Sequence, residues 1–426
     1  MFRSLCTQVV SVALLVGQAC AWASPNCSLS PLGAGQDDTD QIEAAIKKCG
    51  HGCNTVFAPG EYNITRKMTW NLQSARVDLE GYLNFKFDLP YWMDPANTYR
   101  VIFIQSQASW FVITGNDFIV DAHNMGGIIG NGQQWWSWYG NASREDGDGR
   151  PVSLSLVNVT GGTIKDFRID HPPFWCNAVV DSKNVVYDGM WTNASNSDPL
   201  YFNQNVVPNT DGIDTYRSDN ITLINWDITS GDDCIAIKGN STNIYAKNIT
   251  CRGGNGIAFG SLGQYANLAD NVNNVVMEDL ALLRPDPVIQ PNMIHGVYFK
   301  SWTGTRIGFP PTGGGGGPGL VTGIEIRNMY VDNVTSPVQL YQTNSGLPGD
   351  APSELQFENL SFSNITGTAL RNLLVDIRCS PDAPCPNITF SGLNVTPPNG
   401  ESPAYNCYNV VGGLQGLSAC NATDSS

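Results

Sequence analysis

The sequence predicts an all-β fold, a parallel β-solenoid in which every coil repeats the same short strands. An interval of 22 residues separates Asp211 from Asp233 and Asp233 from Asn255, and each residue opens a similar phrase. A fourth copy begins 40 residues later at His295. A repeat of this length, built on short β-branched strands, is typical of solenoids. Equivalent side chains of neighbouring coils should then lie about 4.8 Å apart, so that Asp211 and Asp233, with the adjacent Asp232, converge on one surface.

Asparagine at the start of successive strands is the second observation behind this fold class. Because Asn tolerates the left-handed backbone of tight corners, we predict stacked Asn side chains where the coils turn. The strand-start residues of this kind are Asn184, Asn220, Asn243, Asn274 and Asn387.

One short helix is predicted near the N-terminus. Residues 37–40 read Asp-Asp-Thr-Asp and lead into Ile42 and Ile46, and Asp40 and Glu43 have the spacing of a capping box. A solenoid exposes apolar core and unpaired strands at its ends, and a terminal helix is a usual cover.

Composition favours a secreted β-rich protein. The formal net charge is −15 and the sequence pI is about 4.5, which argues against general affinity for nucleic acid or anionic membranes. We interpret residues 1–23 as a signal peptide, because Arg3 precedes an apolar run and Ala21-Trp22-Ala23 resembles a cleavage site. Residues 24–426 are expected to form one β-helix domain that is extracellular and monomeric.

Ten of the twelve cysteines remain after the signal peptide, an even number that is consistent with disulfides in an oxidising compartment. Cys379 with Cys385 and Cys407 with Cys420 are close pairs, and Cys234 and Cys251 sit on successive coils. No pairing is assigned to Cys27, Cys49, Cys53 or Cys176. Fourteen Asn-x-Ser/Thr sequons suggest glycosylation, although Asn-Ile-Thr is also a natural strand start here.

Three sequence motifs in this order resemble glycoside hydrolase family 28, the polygalacturonases and their pectin-degrading relatives. They are Asn-Thr-Asp at 209–211, Gly-Asp-Asp at 231–233 and Gly-Ser-Leu-Gly at 260–263, with Gly-Asn-Gly-Gln-Gln-Trp-Trp at 130–136 upstream and Lys300 downstream. The resemblance covers roughly residues 33–420. It implies a right-handed parallel β-helix that hydrolyses α-linked galacturonic acid polymers with inversion, without a metal or other cofactor.

The resemblance also implies roles for the three aspartates. Asp232 would be the general acid that protonates the leaving oxygen, and Asp211 and Asp233 would hold and activate the attacking water. This division requires one protonated carboxyl beside ionised ones, and clustered like charges raise at least one pKa. Inverting enzymes usually separate acid and base by about 6.5–9.5 Å, whereas adjacent coils begin only about 4.8 Å apart, so inversion is expected from the family and not from spacing. Asp214 is expected to be structural.

Two departures from the family pattern affect the mode of action. Most polygalacturonases have Gly-His-Gly where this chain has Gly-Asn-Gly at 254–256, and Arg-Ile-Lys where it has Tyr-Phe-Lys at 298–300. In these two departures the chain resembles the exo-acting galacturonidase and rhamnogalacturonan-active branches of the family. Asn255 would either bind a sugar or make a tight turn, and His295 would either replace the lost imidazole in part or have no role.

Candidate substrate-binding residues follow from the same comparison. Lys300 matches the lysine that binds a substrate carboxylate, Asn209 opens the first motif, and Tyr341 lies roughly where the family has an active-site tyrosine. Lys238 and Arg252 lie on the catalytic coils and would either assist in binding or be solvated side chains. The Trp side chains at 135, 136 and 138 would either stack on sugars or, as we favour, pack at a loop base.

We therefore expect a hydrolase that releases galacturonate from the ends of pectic homogalacturonan, with loops around 264–295 and 303–320 closing one end of the cleft. Hydrolysis of rhamnogalacturonan is the alternative within the family. A non-catalytic carbohydrate-binding solenoid and a calcium-dependent pectate lyase are alternatives of other classes.

Overall fold

The chain winds into a right-handed parallel β-helix, which confirms the predicted fold class. The computed structural model describes residues 26–102, 104–139, 149–308, 313–417 and 420, so the predicted signal peptide lies outside the described residues. Within these ranges, 26 strands join in one sheet through parallel pairing. No helix in the described ranges has the length and apolar character needed to cross a membrane.

The helices are few and short. They are α1 (Thr39–Cys49), α2 (Leu89–Trp92) and α3 (Gly132–Tyr139), with 3₁₀ turns at Pro95–Asn97, Ile104–Ser106, Pro199–Tyr201 and Pro398–Gly400.

The strands follow one another with short connections. In the first half of the chain they are β1 (Asn26–Leu29), β2 (Asn54–Phe57), β3 (Glu61–Ile64), β4 (Met68–Gln73), β5 (Arg76–Leu79), β6 (Tyr82–Phe85), β7 (Tyr99–Ile102), β8 (Gln107–Ser109), β9 (Phe111–Asp121), β10 (Gly127–Ile129), β11 (Leu154–Lys165), β12 (Arg168–Asp170), β13 (Asn177–Val180), β14 (Lys183–Asp188) and β15 (Trp191–Asn193). In the second half they are β16 (Ile213–Tyr216), β17 (Asp219–Thr229), β18 (Asp233–Ile237), β19 (Ser241–Arg252), β20 (Gly256–Leu262), β21 (Asp270–Leu283), β22 (His295–Trp302), β23 (Gly319–Val334), β24 (Ser336–Asn344), β25 (Gln356–Ala369), β26 (Leu373–Arg378), β27 (Cys385–Pro386), β28 (Ile388–Thr396), β29 (Ala404–Tyr408) and β30 (Val410–Val411).

One column of side-by-side strands carries the motifs, and we call it the front sheet: β13, β16, β18, β20, β22, β24, β26 and β29. Its inward side chains form aliphatic ladders. Ile213 pairs with Ile235, Ile235 with Ile257, and the ladder continues through Val297, all fully buried. Since side chains alternate along a strand, the residues between them point outward. The interval of 22 residues is therefore the length of a coil, as predicted.

Asparagines stack at the corners, which confirms that prediction. Asn184, Asn220 and Asn243 all have φ between 54° and 56°. The Asn220 side chain donates to Asn184 Oδ1 at 2.8 Å, and Asn274 donates to Asn243 Oδ1 at 2.6 Å. The sequon residues Asn248 and Asn364 also donate to an asparagine of the preceding coil, so several sequon asparagines use their amides to tie one coil to the next.

The N-terminal helix α1 is where the sequence predicts it, and its buried Ile42 and Ile46 join the end of the core. The predicted capping box is wrong. Asp40 lies inside the first turn, where its carboxylate forms an ion pair with Arg66 at 2.7 Å. The backbone N–H of Thr39 instead donates to Asp37 Oδ1 at 3.1 Å.

Four disulfides are present, and they include the three expected pairs, Cys379–Cys385, Cys407–Cys420 and Cys234–Cys251. The fourth, Cys27–Cys49, ties β1 to the end of α1. Among the described cysteines, Cys53 and Cys176 are unpaired. The even count of ten therefore did not mean that every cysteine is bridged.

The loop prediction needs a correction. The segment 264–295 is not one continuous loop, because β21 occupies Asp270–Leu283 in its middle and pairs with β19 and β23. Only residues 263–269 and 284–294 connect strands there. The expected loop at 303–320 is present in its described part, and Gln264 Nε2 donates to the carbonyl of Gly313 at 3.1 Å.

Candidate active site

The three aspartates converge at the start of the front-sheet strands. Asp233 is the first residue of β18, and the pairing of Ile213 with Ile235 places Asp211 beside it on the preceding coil. One carboxylate oxygen from each of Asp211, Asp232 and Asp233 lies within 4.8 Å of the others. The carboxylates are therefore closer than the separation of about 6.5–9.5 Å that is usual between the acid and base of inverting enzymes.

Asp232 is held by two asparagines. The Asn209 backbone N–H donates to Oδ2 at 3.0 Å, and the Asn255 side chain donates to Oδ1 at 2.7 Å. Asp232 is partly exposed. Burial, and then the neighbouring charge of Asp233, raises its pKa from 3.8 to about 6, against the opposing effect of Lys300. A carboxyl with this pKa is protonated in mildly acidic solution.

Asn255 and Asn209 thus orient a carboxylate, whatever further contact they make with a substrate. Asn255 does not itself adopt the turn conformation, which falls to the glycines on either side, Gly254 at φ 71° and Gly256 at φ 90°. The interval of 22 residues predicts that Asn255 pairs with Asp233. In the structure Asp233 pairs with Gly256 instead, because the pairing of β18 with β20 is irregular at this point. The Asn209 side chain is fixed from behind by Arg150, which donates to Asn209 Oδ1 at 3.1 Å.

The environment of Asp233 stabilises the ionised carboxylate, in contrast to that of Asp232. The hydroxyl of Tyr298 donates to Oδ1, and the Lys300 ammonium donates to Oδ2 at 3.2 Å and to the Tyr298 hydroxyl at 2.9 Å. Burial acts to raise the pKa of Asp233, but Lys300, Lys238 and the Tyr298 hydrogen bond together outweigh it, and the pKa is lowered. Asp233 is accordingly the ionised carboxylate of the cluster.

Asp211 is buried, and its Oδ1 has no hydrogen-bond partner among the described residues. Burial, followed by the charges of Asp214, Asp232 and Asp233, raises its pKa well above 3.8. This environment differs from the expectation that Asp211 is ionised beside Asp233. An unpartnered oxygen in a polar cleft is a suitable acceptor or donor for a water molecule.

Lys238 lies elsewhere than the sequence suggested. Only 4% of it is exposed, and its ammonium pairs with Asp214 Oδ1 at 2.9 Å under the ring of Trp175. It donates to the Gly260 carbonyl at 3.2 Å. Its position beneath the cluster corrects the expectation of a substrate-binding lysine, because the Trp175 ring covers it. Asp214 is buried with this lysine and has the structural position expected of it.

Lys300 and Tyr341 are neighbours on the open part of the front sheet. They are paired residues of β22 and β24, so Tyr341, which stays a predicted active-site tyrosine, lies beside Lys300. The Tyr341 ring lies 6.5 Å from that of Tyr298 and parallel to it. The Lys300 side chain is 14% exposed, and an ammonium has three N–H groups, of which two serve Asp233 and Tyr298. The third has no hydrogen-bond partner among the described residues and is available to a substrate oxygen.

Sequence reasoning gave no role to Tyr298 and left His295 open. Tyr298 is 2% exposed, and the His295 ring lies 4.4 Å from its centroid. His295 Nδ1 has no partner among the described residues, and burial lowers the pKa of His295 to about 4. The available signal was the spacing: Tyr298 lies two residues before Lys300 and therefore shares its face.

Other candidates lie away from the cluster. Trp135 and Trp136 are fully buried, as we favoured, and do not offer faces to a sugar. Arg252 forms an ion pair with Asp227 on a different face of the coil.

A cation could be considered at two acidic groups. The cluster oxygens of Asp211, Asp232 and Asp233 are near enough to share an ion, but the Lys300 ammonium already pairs with Asp233. A second group, Asp78, Asp121 and His123, is bridged by Arg76, which lies 2.6 Å from Asp78 and 3.0 Å from Asp121. Both groups already contain a protein cation.

The front sheet is covered on one side of the cluster. The outward residues Ala178, Val180 and Tyr216 of β13 and β16 are buried against Ile102, Ile104, Phe174 and Trp175. The connection after β20 closes over the same place, since Tyr265 accepts a hydrogen bond from the Gln105 backbone N–H at 2.8 Å. On the other side of the cluster lie β24, β26 and β29, and the residues that cover β13 and β16 do not extend over these strands.

The comparisons with known proteins agree with this geometry. The family model described as glycosyl hydrolases family 28 matches residues 64–420. The chain belongs to this family. The matched region includes every residue of the cluster.

Several relatives are similar over most of the chain. A protein of Aspergillus flavus assigned as galacturan 1,4-alpha-galacturonidase A is 40% identical, with 93% of each chain covered. The exopolygalacturonase of Cochliobolus carbonum is 31% identical over 91% of this chain and 84% of its own. An alpha-L-rhamnosidase of Aspergillus niger is 33% identical over 91% and 88%.

Among solved structures, the endo-xylogalacturonan hydrolase of Aspergillus tubingensis matches with a TM-score of 0.76 at 21% identity, over 94% of this chain and 100% of that one. The polygalacturonase of Erwinia carotovora matches with a TM-score of 0.63 at 17% identity, over 92% and 96%. At these identities the structural matches establish the shared fold.

Proposed function

We propose that the protein hydrolyses α-1,4-linked galacturonic acid from the ends of homogalacturonan and its oligomers. The observation that carries the proposal is the cluster of three carboxyls in unlike electrostatic states beside Lys300, at the point where one side of the front sheet becomes covered. A cover at this position would stop a polymer from passing through and would favour attack at a chain end. The relatives named as galacturonidase and exopolygalacturonase support the same substrate.

The proposed reaction divides the work between acid and base. Asp232 gives its proton to the glycosidic oxygen as the bond from that oxygen to the anomeric carbon breaks. A water molecule held between Asp211 and Asp233 forms the new bond to the anomeric carbon and loses its proton to Asp233. The products are one galacturonate and a shortened chain, and proton exchange with solvent restores both carboxyls.

The lowered pKa of Asp233 suits a base, and the raised pKa of Asp232 suits an acid. Asp211, whose pKa is raised by burial and by the neighbouring aspartates, would orient the water together with Asp233. Lys300 would keep Asp233 ionised and give its remaining N–H to a substrate carboxylate.

Inversion is the stereochemical proposal, and the close carboxylates make it worth a direct test. Proton NMR in the first minutes of reaction shows which anomer of galacturonate appears first. We expect the β anomer from an α linkage. Initial release of the α anomer would mean retention, which the short carboxylate separation would then explain.

Hydrolysis of rhamnogalacturonan is the second candidate, favoured by the rhamnosidase relative and by Tyr298 in place of the usual arginine. Oligomers of both polymers, with products resolved by size, separate the two. Galacturonate from homogalacturonan supports the first proposal, and rhamnose from rhamnogalacturonan supports the second. Unsaturated ends would identify a lyase, and the absence of any product would identify a binding protein.

We also propose that residues 24–426 act as one secreted, monomeric domain after removal of residues 1–23. Expression with the natural leader, followed by N-terminal sequencing of the protein in the medium, tests the cleavage. Sedimentation of the same material tests the monomer.

A further inference from the structure

A column of outward side chains continues from the cluster along the front sheet, away from the cover over β13 and β16. Lys300 pairs with Tyr341, Tyr341 with Arg378, and Arg378 with Tyr408, on the successive strands β22, β24, β26 and β29. The residues just before the first three, Phe299, Leu340 and Ile377, are fully buried, so the column itself faces out. With about 4.8 Å between strands, the backbone of Arg378 lies roughly 10 Å from that of Lys300.

Arg378 is held in place from the protein side. Its Nε donates to Asp376 Oδ1 at 2.9 Å. Asp376 is 5% exposed and accepts two further hydrogen bonds, from Asn406 at 3.0 Å and from Gln339 at 3.4 Å. The guanidinium also lies 5.1 Å from the centroid of the Tyr408 ring. These contacts fix the orientation of the side chain before any ligand binds.

The contact with Asp376 uses one of the five N–H groups of the guanidinium, and the side chain remains 47% exposed. In the part of the chain that the structure describes, no hydrogen bond engages the terminal nitrogens, which therefore remain for a ligand. A planar guanidinium that is anchored at Nε suits a carboxylate, which it binds with two parallel hydrogen bonds. Tyr341 and Tyr408 on either side offer ring faces of the kind on which sugars pack.

The direction of the cleft gives this arginine a ligand. Since the cover over β13 and β16 blocks one side of the cluster, the rest of a bound chain must leave across β24, β26 and β29. The protein carries a net charge of −15, so a polyanion needs local cations along that path. Arg378 lies on it, in register with Lys300.

We propose that Arg378, between Tyr341 and Tyr408, forms a second carboxylate-binding subsite for an acidic oligosaccharide, about two coils beyond Lys300. The inference rests on the proposed function, because it takes the ligand to be an oligogalacturonate. The subsite would be a second place at which the protein binds a carboxylate of the substrate. It predicts a preference for oligomers long enough to reach β26.

The test is binding of oligogalacturonates of increasing length, from dimer to hexamer, to protein that carries Asp232→Asn so that the ligand is not cut. Calorimetry is then repeated with Arg378→Ala and with Arg378→Lys. We expect affinity to rise with length and the alanine change to remove about tenfold from the longer oligomers, with partial recovery by lysine. Methyl esters of the same oligomers should not distinguish arginine from alanine.

Arg327→Ala is the matched control. Arg327 is 38% exposed and ion-paired with Glu278 and Glu325, but it lies on β23, outside the front sheet. This change should leave the dependence of affinity on length as it was.

Two failures are distinguishable. If the longer oligomers bind, and Arg378→Ala lowers their affinity no more than Arg327→Ala does, the subsite is overturned and the proposed function stands. If unmodified protein neither binds nor cuts any oligogalacturonate, the proposed function fails and the subsite fails with it.

Discussion

Asp232→Asn should abolish most activity and, at neutral pH, make the protein more stable. The pKa of Asp232 is raised from 3.8 to about 6, chiefly by burial. This shift of about 2 units corresponds to about 3 kcal/mol of unfavourable folding free energy when the carboxyl is ionised. An asparagine can accept only one of the two hydrogen bonds from Asn209 and Asn255, a loss of about 1 kcal/mol. The net gain at pH 7 is about 2 kcal/mol.

The sign of this effect reverses with pH. Below about pH 4 the carboxyl is protonated in the folded and the unfolded protein, so the burial penalty is absent and only the lost hydrogen bond remains. Between about pH 4 and 6 the unfolded chain ionises first, and the wild type loses stability as pH rises. Urea unfolding at pH 4 and pH 7 should therefore show the variant less stable at the lower pH and more stable at the higher.

Activity and a control complete this experiment. Release of reducing ends should fall at least 10²-fold, the lower end of the contribution of a general acid. Asp219→Asn is the control, because hydrogen bonds from Thr242 and Asn243 lower the pKa of Asp219. That variant should gain no stability at pH 7. Near-normal turnover of a folded Asp232→Asn protein would refute the catalytic role, and a stability difference that does not change with pH would refute the raised pKa.

Three further predictions concern the same cleft. Lys300→Ala should weaken binding of galacturonate oligomers by more than the roughly 0–1 kcal/mol of an exposed ion pair. If the methyl esters of these oligomers lose the same amount of binding free energy, the lysine does not bind the substrate carboxylate. Tyr298→Phe removes a hydrogen bond to ionised Asp233 and so should move the acid limb of the kcat/KM profile to higher pH; an unchanged limb would contradict this. In a viscometer, reducing ends should accumulate from long homogalacturonan while viscosity hardly falls, whereas an early collapse of viscosity would indicate internal cutting.

The sequence predicts the parts of this site that depend on periodicity. The 22-residue repeat is the coil length, so it places Asp211 beside Asp233 without knowledge of any other contact. Alternation along one strand likewise puts Tyr298 and Lys300 on one face. The same reasoning fails where a partner comes from a connection between strands, because connection paths have no period. Lys238 is one such case, since it lies on a catalytic coil as expected but is covered by Trp175.

The bond between Tyr298 and Asp233 was beyond prediction for a different reason. It spans two strand spacings, from β22 over β20 to β18, and 65 residues of chain. A phenol can reach so far only if the intervening strand has small side chains. Gly256, which pairs with Asp233, and Ala258, which pairs with Tyr298, supply that space. The bond therefore depends on four residues of three coils, and no pairwise spacing reveals it.

The charge balance of the cluster explains how an acidic protein can accept an acidic substrate. Asp233 is ionised but paired with Lys300, and Asp214 is paired with Lys238, so these carboxylates present little net charge to the cleft. Asp232 retains its proton in mildly acidic solution, because burial and the charge of Asp233 raise its pKa to about 6, and burial and the neighbouring aspartates also raise the pKa of Asp211. The protonation that Asp232 needs as a general acid thus also lowers the repulsion of the incoming uronate. Above about pH 6 both advantages are lost together, since ionisation of Asp232 removes the catalytic proton and adds a negative charge at the place where the sugar must bind.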